Sequence, residues 1–233
     1  MALYAIGDPH LSFSVDKPMD VFGPEWEHHP EKLQRGFQAA VSPEDTVVLC
    51  GDLSWGMNLE QCGADFRFLD ALPGREKYIV KGNHDYWWCT RSKAEAFFRS
   101  QGLDTLHLLH NGCALYGETA LCGTRGWFYE LDECGAGAHN AKMLNRECMR
   151  LEASLKAAGE REKIVFLHYP PVYLNYRCQP ILDVMNRYGV RRCFFAHLHG
   201  KSRRYAIEGL CGGIEYRLIS ADHLGFAPVK VMD

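Results

Sequence analysis

The stretch KYIVKGNHDYWW (77–88) decides how this chain is read. An apolar run reaches Lys81-Gly82 and then delivers an amide, an imidazole and a carboxylate in succession: Asn83, His84 and Asp85. Alone, this is a polar turn. The same construction recurs, however. LYAIG (3–7) is followed by Asp8-Pro9-His10, and TVVLCG (46–51) by Asp52. KIVFLH (163–168) ends on His168, and RCFFAH (192–197) opens His197-Leu198-His199. Runs that are apolar at nearly every position suit strands covered on both faces.

Helical patterns lie between these runs. Pro30-Glu31-Lys32 starts one that reaches Ala40, and Asn58 is placed to cap another towards Ala71. The longest amphipathic segment covers 140–158 and ends at Gly159; a further one, 181–188, is stopped by Gly189. Strand–helix alternation indicates an α/β fold. LHLLHNGCALYGETALCG (106–123) reads instead as short strands with Asn111-Gly112 as a tight hairpin turn. The tail, SRRYAIEG followed by GGIEYRLISA, reads as a second hairpin, so mixed sheets are expected.

Composition excludes several classes. The 233 residues suffice for a sizeable core, and 47% hydrophobic with 24% charged content is ordinary for a globular chain. A net charge of −3 gives no global electrostatic case for nucleic-acid binding. The six-residue apolar stretch before Asp8 lacks a basic flank and is too short for a signal peptide, and no later run approaches a membrane span. Ten cysteines without CxxC pairs read as reduced thiols. A cytoplasmic location without a membrane partner is the expectation.

In α/β folds the crevice at the carboxyl ends of the strands is where ligands bind. Five strand ends carrying imidazole, carboxylate and one amide, with no clustered thiolate, suit manganese, iron or zinc. Seven candidate ligands are too many for one ion that keeps an open position. They suit two ions sharing a bridging carboxylate, the arrangement of two-metal hydrolases.

DPH (8–10), GD (51–52), GNHD (82–85), His168 and HLH (197–199) resemble, in order and spacing, the calcineurin-like metallophosphoesterase superfamily. The resemblance implies a four-layer α/β/β/α sandwich of two mixed sheets, as a single domain over 1–233. It implies that Asp8, His10 and His199 hold one metal, that Asn83, His168 and His197 hold the other, and that Asp52 bridges them. It also implies that a hydroxide between the ions is the nucleophile and that His84 is the general acid over the leaving-group oxygen.

The sequence departs from the pattern of the family's protein phosphatases. Their orienting Asp and phosphate-gripping Arg are replaced here by Trp55 and Gly56. Asp85 is then the candidate for orienting His84. Arg125, between two glycines in CGTRGWFYE (122–130), is the candidate for binding phosphate. Ala196 stands where many members have Gly. The rest is expected to be structural. His28-His29 reads as an exposed preamble to a helix, and Tyr86-Trp87-Trp88 as packing behind the GNHD loop. His107, His110, His139 and His223 read as structural or solvated. Lys201-Ser202-Arg203-Arg204 is either an anion-attracting patch or the polar face of a strand. The resulting expectation is a metal-dependent phosphohydrolase for a small phosphorylated or nucleotide-type substrate, with nucleic acid disfavoured. The alternatives weighed are a non-catalytic interaction scaffold of the same fold and a nuclease-type phosphodiesterase.

Overall fold

The computed structural model describes residues 1–128 and 137–233. In chain order its first half comprises β1 (Leu3–Ile6), α1 (His29–Ala40), β2 (Thr46–Cys50), α2 (Gly63–Ala71), β3 (Glu76–Val80), α3 (Arg91–Gln101) and β4 (Leu106–Leu108). There follow β5 (Cys113–Tyr116), β6 (Thr119–Thr124), α4 (Gly137–Ala157) and β7 (Glu162–Leu167). The chain ends with β8 (Val172–Tyr173), β9 (Tyr176–Arg177), α5 (Gln179–Arg187), β10 (Arg192–Phe195), β11 (Gly209–Cys211), β12 (Ile214–Leu218) and β13 (Val229–Met232).

One sheet has the order β13-β1-β2-β3-β4 and is parallel except for β13. The other has the order β11-β12-β10-β7-β6-β5, with a parallel centre and antiparallel edges. Strand alternation builds the layers. In β2, Val47 and Leu49 face the side where Phe37 of α1, Phe66 of α2 and Phe98 of α3 pack, while Val48 and Cys50 face the second sheet. In β7, Val165 and Leu167 face Leu151 of α4 and Met185 of α5, while Ile164 and Phe166 face the first sheet. Each fully buried Val, Leu or Ile side chain contributes roughly 1.5–3 kcal/mol. The result is the expected mixed α/β sandwich, and the continuous apolar runs are explained: these strands bury both faces.

Three readings of the sequence need correction. Asn111-Gly112 is not a hairpin turn. β4 pairs with β3 and β5 with β6, so residues 109–112 carry the chain from one sheet to the other, and the hairpin turns at Gly117-Glu118. Asn58 does not cap α2; its side chain accepts the Gln61 N–H (2.9 Å) in a preceding turn, and α2 begins at Gly63. Residues 200–205 form a 3₁₀ turn, not a strand, and the terminal hairpin is β11–β12. Ala196 is buried in the core between the sheets.

Candidate metal centre and active site

Three of the five ligand-bearing loops turn sharply as they leave their strands. Asp8, His10, Asp52 and His197 all adopt left-handed backbone, with φ of 58°, 47°, 52° and 74°. Non-glycine residues hold such angles only where their surroundings fix them. Here the loops fix one another: Asp8 N–H bonds Gly51 O (2.9 Å) and His10 N–H bonds Asp52 O (3.0 Å). Gly82 permits the closest approach. A Cβ on it would fall 2.2 Å from the Asp52 nitrogen, so the loop after β3 lies directly against the loop after β2.

Two groups of side chains converge as a result. Asp8, His10 and His199 form one, and Asp52, His168 and His197 the other; within each, one donor atom per residue lies within 4.8 Å of the others. Asn83 joins the second group, its Oδ1 2.7 Å from His168 Nε2. Asp52 reaches both: its Oδ2 is 3.4 Å from His168 Nε2 and 3.8 Å from His10 Nε2. His10 and His199 approach with Nε2 atoms 3.4 Å apart.

Proton accounting shows what these donors lack. Burial holds the His168 imidazole down to about 3, so it is neutral and carries one N–H. Its Nδ1 donates to Cys50 O (3.1 Å). Nε2 then presents a lone pair to two further acceptors, Asn83 Oδ1 and Asp52 Oδ2. Burial likewise pushes His10 and His197 well below the ordinary imidazole range. Each carboxylate spends one oxygen on a neighbouring loop: Asp8 Oδ2 accepts His197 N–H (2.8 Å), and Asp52 Oδ1 accepts His84 N–H (2.7 Å). Asp8 Oδ1 is buried with no hydrogen-bond partner among the described residues. Burial raises Asp8 to about 7 and Asp52 to about 6. Lone pairs pointed at one another and carboxylates starved of positive charge fit a cation in each group.

A family model for calcineurin-like phosphoesterases matches residues 1–201. The chain belongs to the calcineurin-like phosphoesterase family. Its fold is similar to that of AQ665 from Aquifex aeolicus, a protein of unknown function, with a TM-score of 0.54 and 15% identity over 98% of this chain and 95% of that one. At that identity the likeness concerns the fold alone. A comparison with curated proteins found no match.

Against the phosphoesterase pattern, the seven residues expected as ligands are all brought together, and His84 stands at their edge. It is half-buried, with Nδ1 3.1 Å from the Tyr86 hydroxyl and its ring 4.4 Å from that of Trp55. Asp85 does not orient it. The Asp85 carboxylate is buried and accepts from Asp52 N (3.0 Å), Gly82 N (2.7 Å), Leu53 N (2.9 Å) and Trp87 Nε1 (3.0 Å). Its acceptor capacity is spent on fastening the two ligand loops, a use that adjacency in sequence could not reveal. Arg125 lies 3.5 Å from the buried Glu147 carboxylate and over the Trp127 ring, and is only 12% exposed. An Arg at position 56 is excluded, because a Cβ there would fall 2.5 Å from Cys62 Sγ and 3.0 Å from its backbone nitrogen.

Several supporting residues were not foreseen. Asp222 Oδ1 is 2.9 Å from His199 Nδ1, and its Oδ2 accepts Gly200 N–H (3.0 Å). Burial opposes charge on His199, but Asp8 and Asp222 outweigh it and raise its pKa. The signal was present, since YRLISAD (216–222) is a further apolar run ending in a carboxylate. Arg203 of the basic patch donates to Asp222 O (2.5 Å) and so braces this partner. His29 is buried behind His10, its Nε2 3.2 Å from His10 O, while His28 is exposed as expected. Trp87 packs against Phe66 as expected, but Tyr86 is 51% exposed and faces His84. His139, expected to be solvated or structural, lines a cavity with Asn83 and His197. Among the described residues no helix is long and apolar enough to cross a membrane.

Proposed function

We propose that this chain is a dinuclear metal-dependent phosphohydrolase that cleaves a phosphomonoester or phosphodiester of a small, nucleotide-type substrate. One observation carries the dinuclear reading: a single carboxylate oxygen, Asp52 Oδ2, stands between the imidazoles of His168 and His10, one from each ligand group. Asp8, His10 and His199 would hold one ion, and Asn83, His168 and His197 the other, with manganese, iron and zinc the metals that suit these donors. When bound, the ions supply Lewis acidity, lowering the pKa of water and neutralising charge on the phosphoryl oxygens.

The protein's own part is positioning and proton transfer. Asp85 fixes the Asp52 and Gly82 loops, and Cys50 O and Asp222 set the faces that His168 and His199 present. With Nδ1 engaged by Tyr86, His84 keeps Nε2 for the departing oxygen and donates its proton there. Burial lowers the His84 pKa overall, with the neighbouring Asp52 charge opposing that shift.

The test is to load metal-free protein with manganese, iron or zinc and assay a panel of mono- and diesters beside His84→Ala. The reading expects hydrolysis by the wild type. It expects the variant to keep two ions per chain while turnover falls about 10²–10⁴-fold. Two bound ions with no hydrolysis of any ester would contradict the catalytic reading. Loss of metal in His84→Ala would make His84 a ligand instead of the acid.

A further inference from the structure

The space around the centre has two unlike sides, and His84 lines both. On one side a cavity of about 420 Å³ carries the amides of Asn83 and Asn140 and the imidazoles of His139 and His197 among the rings of Trp127, Phe128 and Tyr169. On the other a cavity of about 260 Å³ lies against His199 and is walled by Met19, Phe22, Trp26 and Trp55. Among the described residues, no carboxylate, ammonium or guanidinium lines this second cavity. A ring-walled recess therefore lies directly beside the cluster of metal-type donors.

Its walls are fastened in place. Trp26 is 2% exposed and meets His10, His199 and Phe226 edge-on at 5.7, 5.4 and 5.3 Å. Trp55 stacks on His10 at 5.1 Å, and its Nε1–H points to Met19 Sδ (3.3 Å). Asp65 ties the two loops that carry these walls, accepting Phe13 N–H (2.9 Å) and the Ser54 hydroxyl. A preformed recess needs little reorganisation to bind. Water inside it finds few polar partners, so an apolar group that displaces it gains affinity. The volume is below that of a drug-sized pocket and suits a single ring system. Lys17 Nζ lies 4.6 Å from the Trp55 ring centroid and bears electrostatically on His84, so a cation stands beside the recess.

We infer that this recess is a subsite for a flat aromatic substituent of the substrate's phosphate group, with Phe22 and Trp55 as specificity-determining residues. The inference rests on the phosphohydrolase reading and names the substrate class of that site. The ring is either an aryl group next to phosphorus or a nucleobase one sugar away.

Phosphonates test it, because a P–C bond replaces the ester bond to be cleaved and binding is read without turnover. Manganese-loaded protein is titrated calorimetrically with phenylphosphonate and methylphosphonate, and with the phosphonate analogues of adenosine 5′-phosphate and ribose 5-phosphate. In at least one pair the ring-bearing member should bind about fivefold or more tightly, the low end of what a ring stacked on aromatic side chains is worth. The pair that shows the gain identifies the ring as aryl or nucleobase. Phe22 is 57% exposed, so Phe22→Ala leaves the core intact and should shrink that ratio, whereas Phe22→Tyr should retain it. Binding within about twofold in both pairs overturns the inference and leaves the phosphohydrolase reading standing. If none of the four phosphonates binds, the inference falls together with that reading.

Discussion

The two ligand groups face the same crevice but are supported differently. The group after β7 is held by the main chain: His168 Nδ1 donates to Cys50 O, and its imidazole stays neutral. The group after β1 is held by charge: His199 is gripped by Asp222, and both Asp8 and His199 have raised pKa values. Burial raises Asp8, whereas Asp8 and Asp222 raise His199 against its own burial. A carbonyl fixes a ring and raises its basicity only through the hydrogen bond, which burial outweighs at His168; a carboxylate adds its charge as well. The Asp8–His10–His199 group should therefore exchange protons for metal, and the His168–His197 group should bind metal with little proton release.

Removing what the groups share should have the largest effect. Asp52→Asn keeps the shape but halves the charge available to two cations, so fewer than two ions per chain are expected and hydrolysis should fall about a thousandfold. Metal content by mass spectrometry and turnover check this. Asp222→Asn should act on one group only. Removing a carboxylate behind a ligating imidazole costs about 10–100-fold in metal affinity, so one ion should weaken by that factor while the other is unchanged. Equal weakening of both would erase the distinction.

The pH dependence sharpens the same contrast. Asp8, raised to about 7, and His199, also raised, form a pair that still carries protons at pH 6. These protons oppose metal in the Asp8–His10–His199 group. The other group's own imidazoles, His168 and His197, are pushed down by burial and stay neutral there. Acidifying loaded protein from pH 8 to about 6 should release one ion before the other, with proton uptake accompanying the first loss. The smallest effect is expected from Cys50→Ala. It removes a thiol but leaves the carbonyl that holds His168, so metal content should not change and stability should fall by only about 1 kcal/mol.

How much of this was legible in the sequence follows from where information resides along a chain. The five ligand-bearing strands could be read because they bury both faces and so remain apolar at consecutive positions. The ligands could be read because they sit just past those strand ends, where a polar side chain has no structural reason to recur. α3 was missed because only Ala94 and Phe98 of its eleven residues are buried. Asn111-Gly112 misled because Asn-Gly favours left-handed backbone, which a crossing between sheets uses as readily as a hairpin; Asn111 has φ 54°. The surroundings of Asp85 and Arg125 could not be read because each has partners distant in sequence: Asp52 and Leu53 for one, Glu147 for the other. The apolar recess was invisible, since its walls come from residues 19–26 and 55 and acquire meaning only when folded beside His84.

The central claim is that two ions sit in adjacent groups sharing Asp52. Electron paramagnetic resonance of protein saturated with manganese tests it most directly. Ions roughly 3.5–4 Å apart are magnetically coupled. The account predicts two manganese ions per chain with an exchange-coupled signal that Asp52→Asn abolishes. A single, uncoupled manganese per chain at saturation would contradict it.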